Sequence, residues 1–316
     1  MYLVVDGNNL AHRIFHTPAG ELTKKDGTPS GVVYGIVNSL KGMLERFPET
    51  ERVIVTWDTK GGSAWRKAIY PDYKANRDYG SDDDEKKEAY KGLFMQMEES
   101  HQMLKLLGVN SIKMEGYEAD DLMALLSKAI PELTEKHVMV ATSDKDMLQL
   151  VCKTASVYSP FKDIVYTPLN FYEEIGVTTE AYVGFRALVG DTSDNIRGIE
   201  GIAEGRAKKL MDEYGHIDNI LNAQGKQRDK LLKSKVFSRI FEQQGLKTLA
   251  VNNKIMNFKF VPESDELSDS IAHHIFHMPD VDSRGFRAWC VDWQLVSILS
   301  NWLPFISTFN ALGEDD

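Results

Sequence analysis

The sequence predicts an α/β fold followed by a second, helical domain. Three apolar runs suited to buried strands recur in the first half of the chain: YLVV (2–5), RVIVTW (52–57) and HVMVAT (137–142). Helical patterns lie at about 31–46, 85–107, 119–129 and 144–152. Strands rich in β-branched residues that alternate with amphipathic helices indicate a parallel sheet covered on both faces. After about residue 180, short helices punctuated by glycine replace the strand patterns, which indicates a helical second domain.

Composition indicates an ordinary globular protein. The 316 residues are 42% hydrophobic and 27% charged, enough for one large domain and a smaller one. MYLVVD has no basic region and no long apolar core, so we expect no signal peptide and a cytoplasmic location. We expect Cys152 and Cys290 to be buried free thiols in a reducing compartment. The uncharged segment 293–313 contains Gln, Ser, Asn and Pro, which favours a helix packed on the protein or a partner over a membrane span.

Acidic residues follow each predicted strand, and two further acidic groups occur in GYEADDL and GDTSDNI. The carboxyl ends of parallel strands meet at one edge of a sheet, so we expect these side chains to converge there. Helix capping and Asx turns would explain each group taken alone. The set comprises Asp6, Asp58, Glu118, Asp120, Asp121, Asp144, Asp146, Asp191 and Asp194.

So many carboxylates at one edge would repel one another unless cations neutralised them. The set contains no His or Cys, which favours Mg²⁺, with Mn²⁺ as a substitute, over zinc. Nine ligands exceed the needs of one ion, so we expect two or more. A pair of such ions stabilises the attacking and leaving oxygens in phosphodiester hydrolysis. The sequence therefore predicts metal-assisted phosphoryl chemistry. The net charge of −10 argues against a nucleic-acid partner only if the carboxylates are spread over the surface rather than collected in one metal-binding cluster.

Two basic stretches could bind nucleic acid. In KGGSAWRKAIYPDYKANR (60–77), basic residues alternate with Trp65, Tyr70 and Tyr73, a pattern that can hold phosphates and stack on unpaired bases. Lys74 and Arg77 are spaced one helical turn apart and could reach the scissile phosphate. In GIEGIAEGRAKKL, a glycine-rich hairpin enters a helix with basic residues, and helix starts donate N–H groups to phosphates. A solvated charged surface with some core aromatic residues is the alternative for the first stretch.

The motifs VVDGNNL, TWD, WRKAIYPDYKANR, GYEADDL, ATSDKDMLQL and GDTSDNIRGIEGI together resemble the 5′-nuclease superfamily, specifically phage-type 5′→3′ exonucleases and flap endonucleases. The resemblance covers about residues 1–215. It implies a PIN-like catalytic domain at 1–180, with a helical arch at about 74–107, and a helix–three-turn–helix DNA-binding domain at 181–250. The segment 251–316 matches no motif of the family and is a candidate contact for a replication partner.

The resemblance also implies roles for single residues. All nine acids would be metal ligands, with Asp58, Glu118, Asp120 and Asp144 around the first ion and Asp146, Asp191 and Asp194 nearer the second. Lys74 and Arg77 match the catalytic lysine and arginine of the arch. The expected DNA contacts are Arg66, Lys67, Tyr73, Gly201, Ile202, Arg206, Lys208 and Lys209. The family hairpin often reads GIGPKTA and holds K⁺; this chain reads GIAEGRA, which weakens the expectation of K⁺ there.

The predicted function is a structure-selective, divalent-metal-dependent 5′→3′ exonuclease or flap endonuclease that leaves a 5′-phosphate. Its substrates would be DNA with 5′ flaps, nicks or free 5′ ends, and RNA–DNA hybrids by extension. We expect a monomer without membrane contact, and a free-standing nuclease because the residues after 240 are too few for a polymerase. The alternatives are a PIN-type ribonuclease, a catalytically silent DNA-binding protein of the same fold, and a phosphatase of small molecules.

Overall fold

The structure is a computed structural model that describes residues 1–77, 79 and 83–312. Parts of three predicted segments, the arch at 74–107, the uncharged segment 293–313 and the C-terminal segment 251–316, therefore lie outside the described residues.

A central sheet confirms the predicted strands. In the described part of the chain, six strands pair in the order β3-β2-β1-β4-β5-β6. All neighbours are parallel except β5 and β6. Chain order reverses at β1, which lies between β2 and β4, and ligands of open α/β sheets bind at such a reversal. The strands are β1 (Tyr2–Asp6), β2 (Arg52–Trp57), β3 (Asn110–Lys113), β4 (Val138–Ala141), β5 (Ala155–Ser159) and β6 (Ile164–Tyr166).

Helices cover both faces of this sheet. Successive side chains of a strand point to opposite faces, so Leu3 and Val5 enter one core and Val4 enters the other. The first core is closed by α1 and α2 with α4, and the second by α5. The elements are α1 (Gly7–Phe15), α2 (Gly31–Arg46), α3 (Ala64–Ile69), α4 (Asp84–Met103) and α5 (Ala119–Thr134), with 3₁₀ turns at Pro18–Glu21, Leu104–Leu106 and Asp146–Leu150.

The prediction of a helix at 144–152 is wrong. Only Asp146–Leu150 is helical, and it is a 3₁₀ turn. The backbone N–H of Asp146 donates to the Asp144 side chain, and the chain then turns back between Cys152 and Ala155 to begin β5. The turns on both sides thus leave only a 3₁₀ turn between β4 and β5.

The residues after about 180 are mainly helical, as predicted, and helical structure already begins at Phe171. Helices α7, α8 and α11 pack together, and their buried residues Phe185, Leu210 and Leu249 are continuous with one core of the sheet. A small hairpin of β7 (Gly190–Asp191) and β8 (Ile196–Arg197) follows α7. The helices are α6 (Phe171–Ile175), α7 (Thr179–Val189), α8 (Glu204–Tyr214), α9 (Ile217–Leu221), α10 (Gly225–Lys233) and α11 (Gln243–Met256), with 3₁₀ turns at Phe237–Phe241 and Phe258–Phe260.

The last four helices of the described chain pack on both faces of the sheet. They are α12 (Asp265–Phe276), α13 (Ser283–Asp292), α14 (Val296–Ser300) and α15 (Trp302–Asn310). Helix α12 packs on α5, whereas α13–α15 bury Phe286, Ile298 and Phe309 in the core beside α2. Between them the chain crosses the edge strand β3, where the Asn110 side chain donates to the His274 and His277 carbonyls. The expected packing of segment 293–313 is thus confirmed for its described residues, and no described helix is long and apolar enough to cross a membrane.

The two cysteines differ in exposure. Cys290 is buried in α13, as expected, but Cys152 is exposed. The prediction of a buried Cys152 is wrong because this residue lies in the tight turn before β5, where its thiol is directed to Thr154 rather than into the core.

We expect one fast-reacting thiol in the native protein. Burial raises the pKa of the Cys290 thiol to about 12, so at neutral pH it supplies almost no thiolate. Titration with a chromogenic disulfide reagent should label one cysteine natively and two after denaturation. Cys152→Ser should abolish the native signal, and rapid labelling of that variant would contradict the assigned burial.

Candidate active site

Asp6 joins two strands at the point where chain order reverses. It is the last residue of β1, and its Oδ1 accepts the Asn9 N–H at 2.8 Å as the N-cap of α1. Its Oδ2 accepts the Thr142 hydroxyl at 2.9 Å, just beyond β4. Burial raises the pKa of Asp6 to about 7, and the negative charges of Asp58 and Asp144 contribute in the same direction. Asp6 is therefore held rigidly where an extra positive charge would stabilise it.

Asp58 occupies the matching position after β2. Its two oxygens accept the Ala119 N–H at 2.8 Å and the Asn8 side-chain amide at 3.2 Å. Asn8 also accepts the Asp58 N–H, so this amide fixes the start of α1 against β2. Burial raises the pKa of Asp58, while nearby Lys74 opposes the shift. Asn8 is a site residue that the sequence analysis missed, although the sequence VVDGNNL contains it.

Asp120 and Asp144 complete a set that we call the unpaired quartet: Asp6, Asp58, Asp120 and Asp144. Burial raises the pKa of Asp120 well above its ordinary value, and the charges of Asp144 and Asp6 add to the effect. Burial also raises the pKa of Asp144, together with Asp194 and Asp191, against a hydrogen bond from the Asp146 N–H. No member of the quartet forms an ion pair with the residues that the structure describes. The quartet is thus a concentration of negative charge that forms no direct ion pair among the described residues, although the charge of nearby Lys74 lowers the pKa values of Asp58, Asp120 and Asp144.

Glu118 and Asp121 are neutralised by buried Arg66. Its guanidinium donates to Glu118 Oε2 at 2.7 Å and to Asp121 Oδ1 at 2.6 Å, and its Nε donates to the Ile255 carbonyl of α11 at 2.9 Å. Asp121 is fully buried, and its Oδ2 accepts the Glu118 N–H in the cap of α5. We therefore correct two predictions: Arg66 is an internal counter-ion rather than a DNA contact, and Asp121 positions its neighbours rather than offering a free oxygen to a metal.

Tyr73 is also buried, with 3% of its surface exposed. Its hydroxyl donates to Glu118 Oε2 at 3.1 Å and lies 3.2 Å from Asp194 Oδ2. This corrects the prediction that Tyr73 contacts DNA, because its ring packs against Ile196, Ile255 and Met256.

Lys74 and Arg77 lie over the acidic edge, which is the edge of the sheet where the nine predicted acidic residues lie. Lys74 Nζ is 2.7 Å from Glu118 Oε1 and 3.8 Å from Asp194 Oδ2, and Arg77 donates to Asp194 Oδ1 at 2.8 Å. Burial favours the neutral amine, but Glu118 and Asp194 raise the pKa of Lys74 above its ordinary value, so the amine stays charged. The two residues do not share a helical turn, since Lys74 has a left-handed backbone (φ 56°) in the turns after α3. Its N–H donates to the Asp194 carbonyl, which fixes that conformation.

Arg186 of α7 neutralises the remaining two acids. Its guanidinium lies 2.8 Å from Asp146 Oδ1 and 2.6 Å from Asp191 Oδ2, and the residue is 7% exposed. Asp191 also accepts the Ser193 N–H at 2.7 Å. The sequence analysis missed Arg186; the available signal was a basic residue on the apolar helix YVGFRALV, five positions before Asp191.

The donor chemistry fits a hard divalent cation. As the side chains stand, no group of three or more His, Cys, Asp or Glu residues in the ranges 1–77, 79 and 83–312 is arranged to hold a metal ion. The quartet nevertheless consists of oxygen donors whose mutual repulsion and burial disfavour the charged state. A cation with a preference for oxygen would remove this penalty, which matches Mg²⁺ or Mn²⁺. The other five acids already have basic partners within the chain.

Comparison with known proteins identifies the family. A family model described as the 5′-3′ exonuclease N-terminal resolvase-like domain matches residues 1–176, and one described as the 5′-3′ exonuclease C-terminal SAM fold matches residues 177–260. The chain belongs to the 5′-3′ exonuclease family. A 5′-3′ exonuclease of Bacillus subtilis is 34% identical over 277 residues, which cover 85% of this chain and 87% of the relative.

A thermostable DNA polymerase I of Thermus filiformis is 36% identical over 234 residues, 74% of this chain but 26% of the polymerase. The chain thus spans about a quarter of the length of such polymerase relatives. Among solved structures, the 5′-exonuclease of phage T5, described with bound divalent zinc ions, superposes with a TM-score of 0.73 at 24% identity, covering 89% of this chain and all of that one. A variant of the phage T5 flap endonuclease, described in a complex with DNA and metal ions, gives a TM-score of 0.71 at 24% identity, with coverage of 87% and 99%. These structural likenesses establish a shared fold.

The glycine hairpin before α8 does not fit a bound K⁺. Its Gly201 has a left-handed backbone (φ 82°), and the Gly201 carbonyl accepts the Arg206 guanidinium at 2.5 Å. The Glu200 carbonyl accepts Arg239 at 3.1 Å. Guanidinium groups therefore already satisfy these two oxygens. Ile202 is 3% exposed, so a DNA contact at Ile202 could come only from its backbone, whereas Arg206 and Lys209 are exposed and Lys208 is half-buried.

We expect Arg66→Met to destabilise the fold by about 3–5 kcal/mol, because it leaves Asp121 buried without a counter-ion and removes one of the two basic partners of Glu118. Urea unfolding in EDTA measures this loss without interference from metal binding. Lys67→Met is the matched control, since Lys67 is the exposed neighbour on the same helix and should change stability by less than about 0.5 kcal/mol. Equal stability of the two variants would contradict the role of Arg66.

Proposed function

We propose that the chain is a structure-selective, divalent-metal-dependent nuclease that hydrolyses DNA phosphodiester bonds near 5′ ends and leaves a 5′-phosphate. The observation that carries the proposal is the unpaired quartet, with Asp6, Asp58 and Asp144 at the carboxyl ends of β1, β2 and β4 and Asp120 in the first turn of α5. The charged Lys74 and Arg77 lie beside it. Membership of the 5′-3′ exonuclease family and the metal- and DNA-bound descriptions of the T5 relatives support the same conclusion.

Two sets of acids are available to cations. The quartet would hold the first ion with Glu118, and Asp146, Asp191 and Asp194 are the ligands available to a second. Bound divalent ions supply charge neutralisation and stabilise the negative charge that develops on phosphate oxygens. We propose Mg²⁺ as the physiological ion, because every donor is a carboxylate oxygen. K⁺ has no part in the proposal, since the hairpin oxygens are satisfied by Arg206 and Arg239.

The residues of the chain bind and orient the substrate. Lys74 stays protonated and lies within hydrogen-bond distance of the acidic edge, where it would hold the scissile phosphate and stabilise its developing charge. Arg77, paired with Asp194, would hold an adjacent phosphate. Duplex DNA would lie on the helical domain, with phosphate contacts from the exposed Arg206 and Lys209. We propose a monomer that acts in the cytoplasm. The described C-terminal helices pack into the two cores of the sheet, so we do not propose that they contact a replication partner.

The direct test is cleavage of an end-labelled panel of 5′-flap, nicked, gapped and blunt DNA with Mg²⁺. We expect Asp144→Asn and addition of EDTA each to reduce cleavage at least about 10³-fold, because the quartet then loses an ion ligand or its ion. Asp229→Asn, a substitution of an exposed acid on α10, is the matched control and should leave cleavage unchanged. Cleavage that survives EDTA, or preferential cleavage of single-stranded RNA, would reject the proposal.

We expect Lys74→Ala to reduce turnover by at least about 10²-fold with little change in DNA affinity, because the lost charge acts mainly on the transition state. Single-turnover rates with Mg²⁺ and equilibrium binding in EDTA measure the two effects separately. Lys105→Ala replaces an exposed lysine on the 3₁₀ turn before β3 and is the control. A parallel loss of affinity and rate would show that Lys74 serves general binding instead.

A further inference from the structure

A cleft of about 410 Å³ lies outside the edge strand β3, between the end of α4 and the end of α12. Four imidazoles and two lysine side chains line it, and none of the nine residues of the acidic edge does. The proposed function therefore makes no use of this cleft. We call it the histidine cleft and define it by its six basic residues: His101, Lys105, Lys113, His273, His274 and His277.

Positive charge dominates the histidine cleft. Among the described residues that line it there is no Asp or Glu. Lys113 pairs with Glu98 beside the cleft, whereas Lys105 forms no ion pair with the part of the chain that the structure describes. Burial lowers the pKa of His101 to about 4, and the charge of Lys113 acts in the same direction. Burial and nearby positive charge, including that of Lys105, also lower the pKa of His274. A bound anion would therefore stabilise this group of basic side chains.

A chain of hydrogen bonds fixes the protonation of His101. The Trp57 indole N–H donates to Ser111 Oγ at 2.8 Å, and Ser111 Oγ lies 2.7 Å from His101 Nδ1. Because the indole can only donate, the hydroxyl hydrogen of Ser111 is left for Nδ1. The neutral ring then carries its proton on Nε2, which makes His101 a hydrogen-bond donor to a ligand. Besides burial, the charges of Lys113 and Lys105 lower the pKa of His101, so both amines lie near its ring. Three donors placed together suit a phosphate group.

The end of α12 supplies a ring surface, and its carbonyl groups are already satisfied. Carbonyls at a helix end form a negative pole, but Asn110 Nδ2 donates to the His274 and His277 carbonyls at 2.6 and 2.9 Å. The Nδ1–H of His277 donates to the His273 carbonyl at 3.1 Å. The His273 and His277 rings are stacked with their centroids 4.4 Å apart, and both residues are exposed. Exposed imidazole rings are surfaces on which nucleic-acid bases stack.

We propose that the histidine cleft binds a free nucleoside monophosphate. Lys105, Lys113 and the Nε2–H of His101 hold its phosphate. Its base stacks on the exposed pair of His273 and His277. The cleft is larger than phosphate alone requires and lies within the size range of small-molecule sites. The two lysines make a cation an unfavourable occupant, and the described residues contain no group of three metal-ligating side chains arranged to hold one. The proposal does not rest on the proposed function.

The test is isothermal titration calorimetry of the full chain with deoxyadenosine monophosphate, inorganic phosphate and deoxyadenosine. EDTA is present, so that no ion bound at the acidic edge attracts phosphate. We expect the wild type to bind the nucleotide at least about 10-fold more tightly than phosphate or the nucleoside, because each of these makes only part of the contacts. Lys105→Ala should weaken nucleotide binding about 10-fold through loss of one charge-assisted contact, and Lys105→Arg should largely retain it.

Two further variants separate the phosphate contact from the base contact. His273→Ala and His277→Ala should weaken nucleotide binding about 5-fold or more, as loss of base stacking predicts, while binding of inorganic phosphate stays unchanged. Lys153→Ala, a substitution of an exposed lysine in the turn before β5, is the matched control and should bind the nucleotide as the wild type does. Thermal unfolding of each variant checks the fold, which we expect to be retained because the substituted residues are exposed.

Equal nucleotide affinity of the wild type and Lys105→Ala would overturn the proposal, and so would binding of inorganic phosphate as tight as that of the nucleotide. Loss of nucleotide binding in Lys74→Ala but not in Lys105→Ala would place the ligand at the acidic edge and would overturn it as well. If Lys105→Ala weakened binding of a 5′-phosphorylated oligonucleotide more than binding of the nucleotide, the ligand would be the end of a nucleic acid, which also contradicts the proposal. Cleavage of 5′-flap DNA with Mg²⁺ is measured separately, so failure of this proposal is distinguishable from failure of the proposed function.

Discussion

The fold requires that the negative charge of nine acidic side chains at one edge of a parallel sheet be compensated. Burying one carboxylate without a partner is unfavourable, and burying several together is more so because each raises the pKa of the next. The chain neutralises five of them with its own basic residues: Arg66, Lys74, Arg77 and Arg186. It leaves four without a basic partner among the described residues, at the point where β1 lies between β2 and β4. Affinity for a divalent cation follows from this imbalance more directly than from any single ligand.

The same ion pairs connect the two halves of the molecule. Arg66 bonds Glu118 of the sheet domain and the Ile255 carbonyl of α11, so one guanidinium spans the acidic edge and the helical domain. Next to it, Tyr73 packs on Ile255 and Met256 while its hydroxyl holds Glu118. A shift of α11 when duplex DNA binds would therefore be transmitted to Glu118. Buried contacts thus connect α11 directly to Glu118 at the acidic edge.

Sequence patterns predicted the parallel sheet and its acidic edge because both can be read from short stretches of sequence. Runs such as RVIVTW indicate a buried strand, and the acids at their ends are placed by the rule that parallel strands finish on one side. Hydrophobic spacing could not show that Asp146–Leu150 is a 3₁₀ turn or that Cys152 faces solvent, because both result from the sharp return into β5. It also could not show that α12 and α13 pack on opposite faces, since this depends on the path around the edge strand β3.

The partners of the acids were beyond sequence reasoning for a further reason. Arg66 and Asp121 are 55 positions apart, and nothing in either motif records that they meet. A basic residue in an aromatic-rich stretch has the same composition whether it neutralises a buried acid or holds a phosphate; only burial separates the two roles. Arg66 and Tyr73 proved buried, whereas Arg77, Tyr79 and Phe94 retain exposed surface at the same edge. Substrate contacts in this chain are therefore to be sought among the basic and aromatic residues that keep exposed surface near the acidic edge.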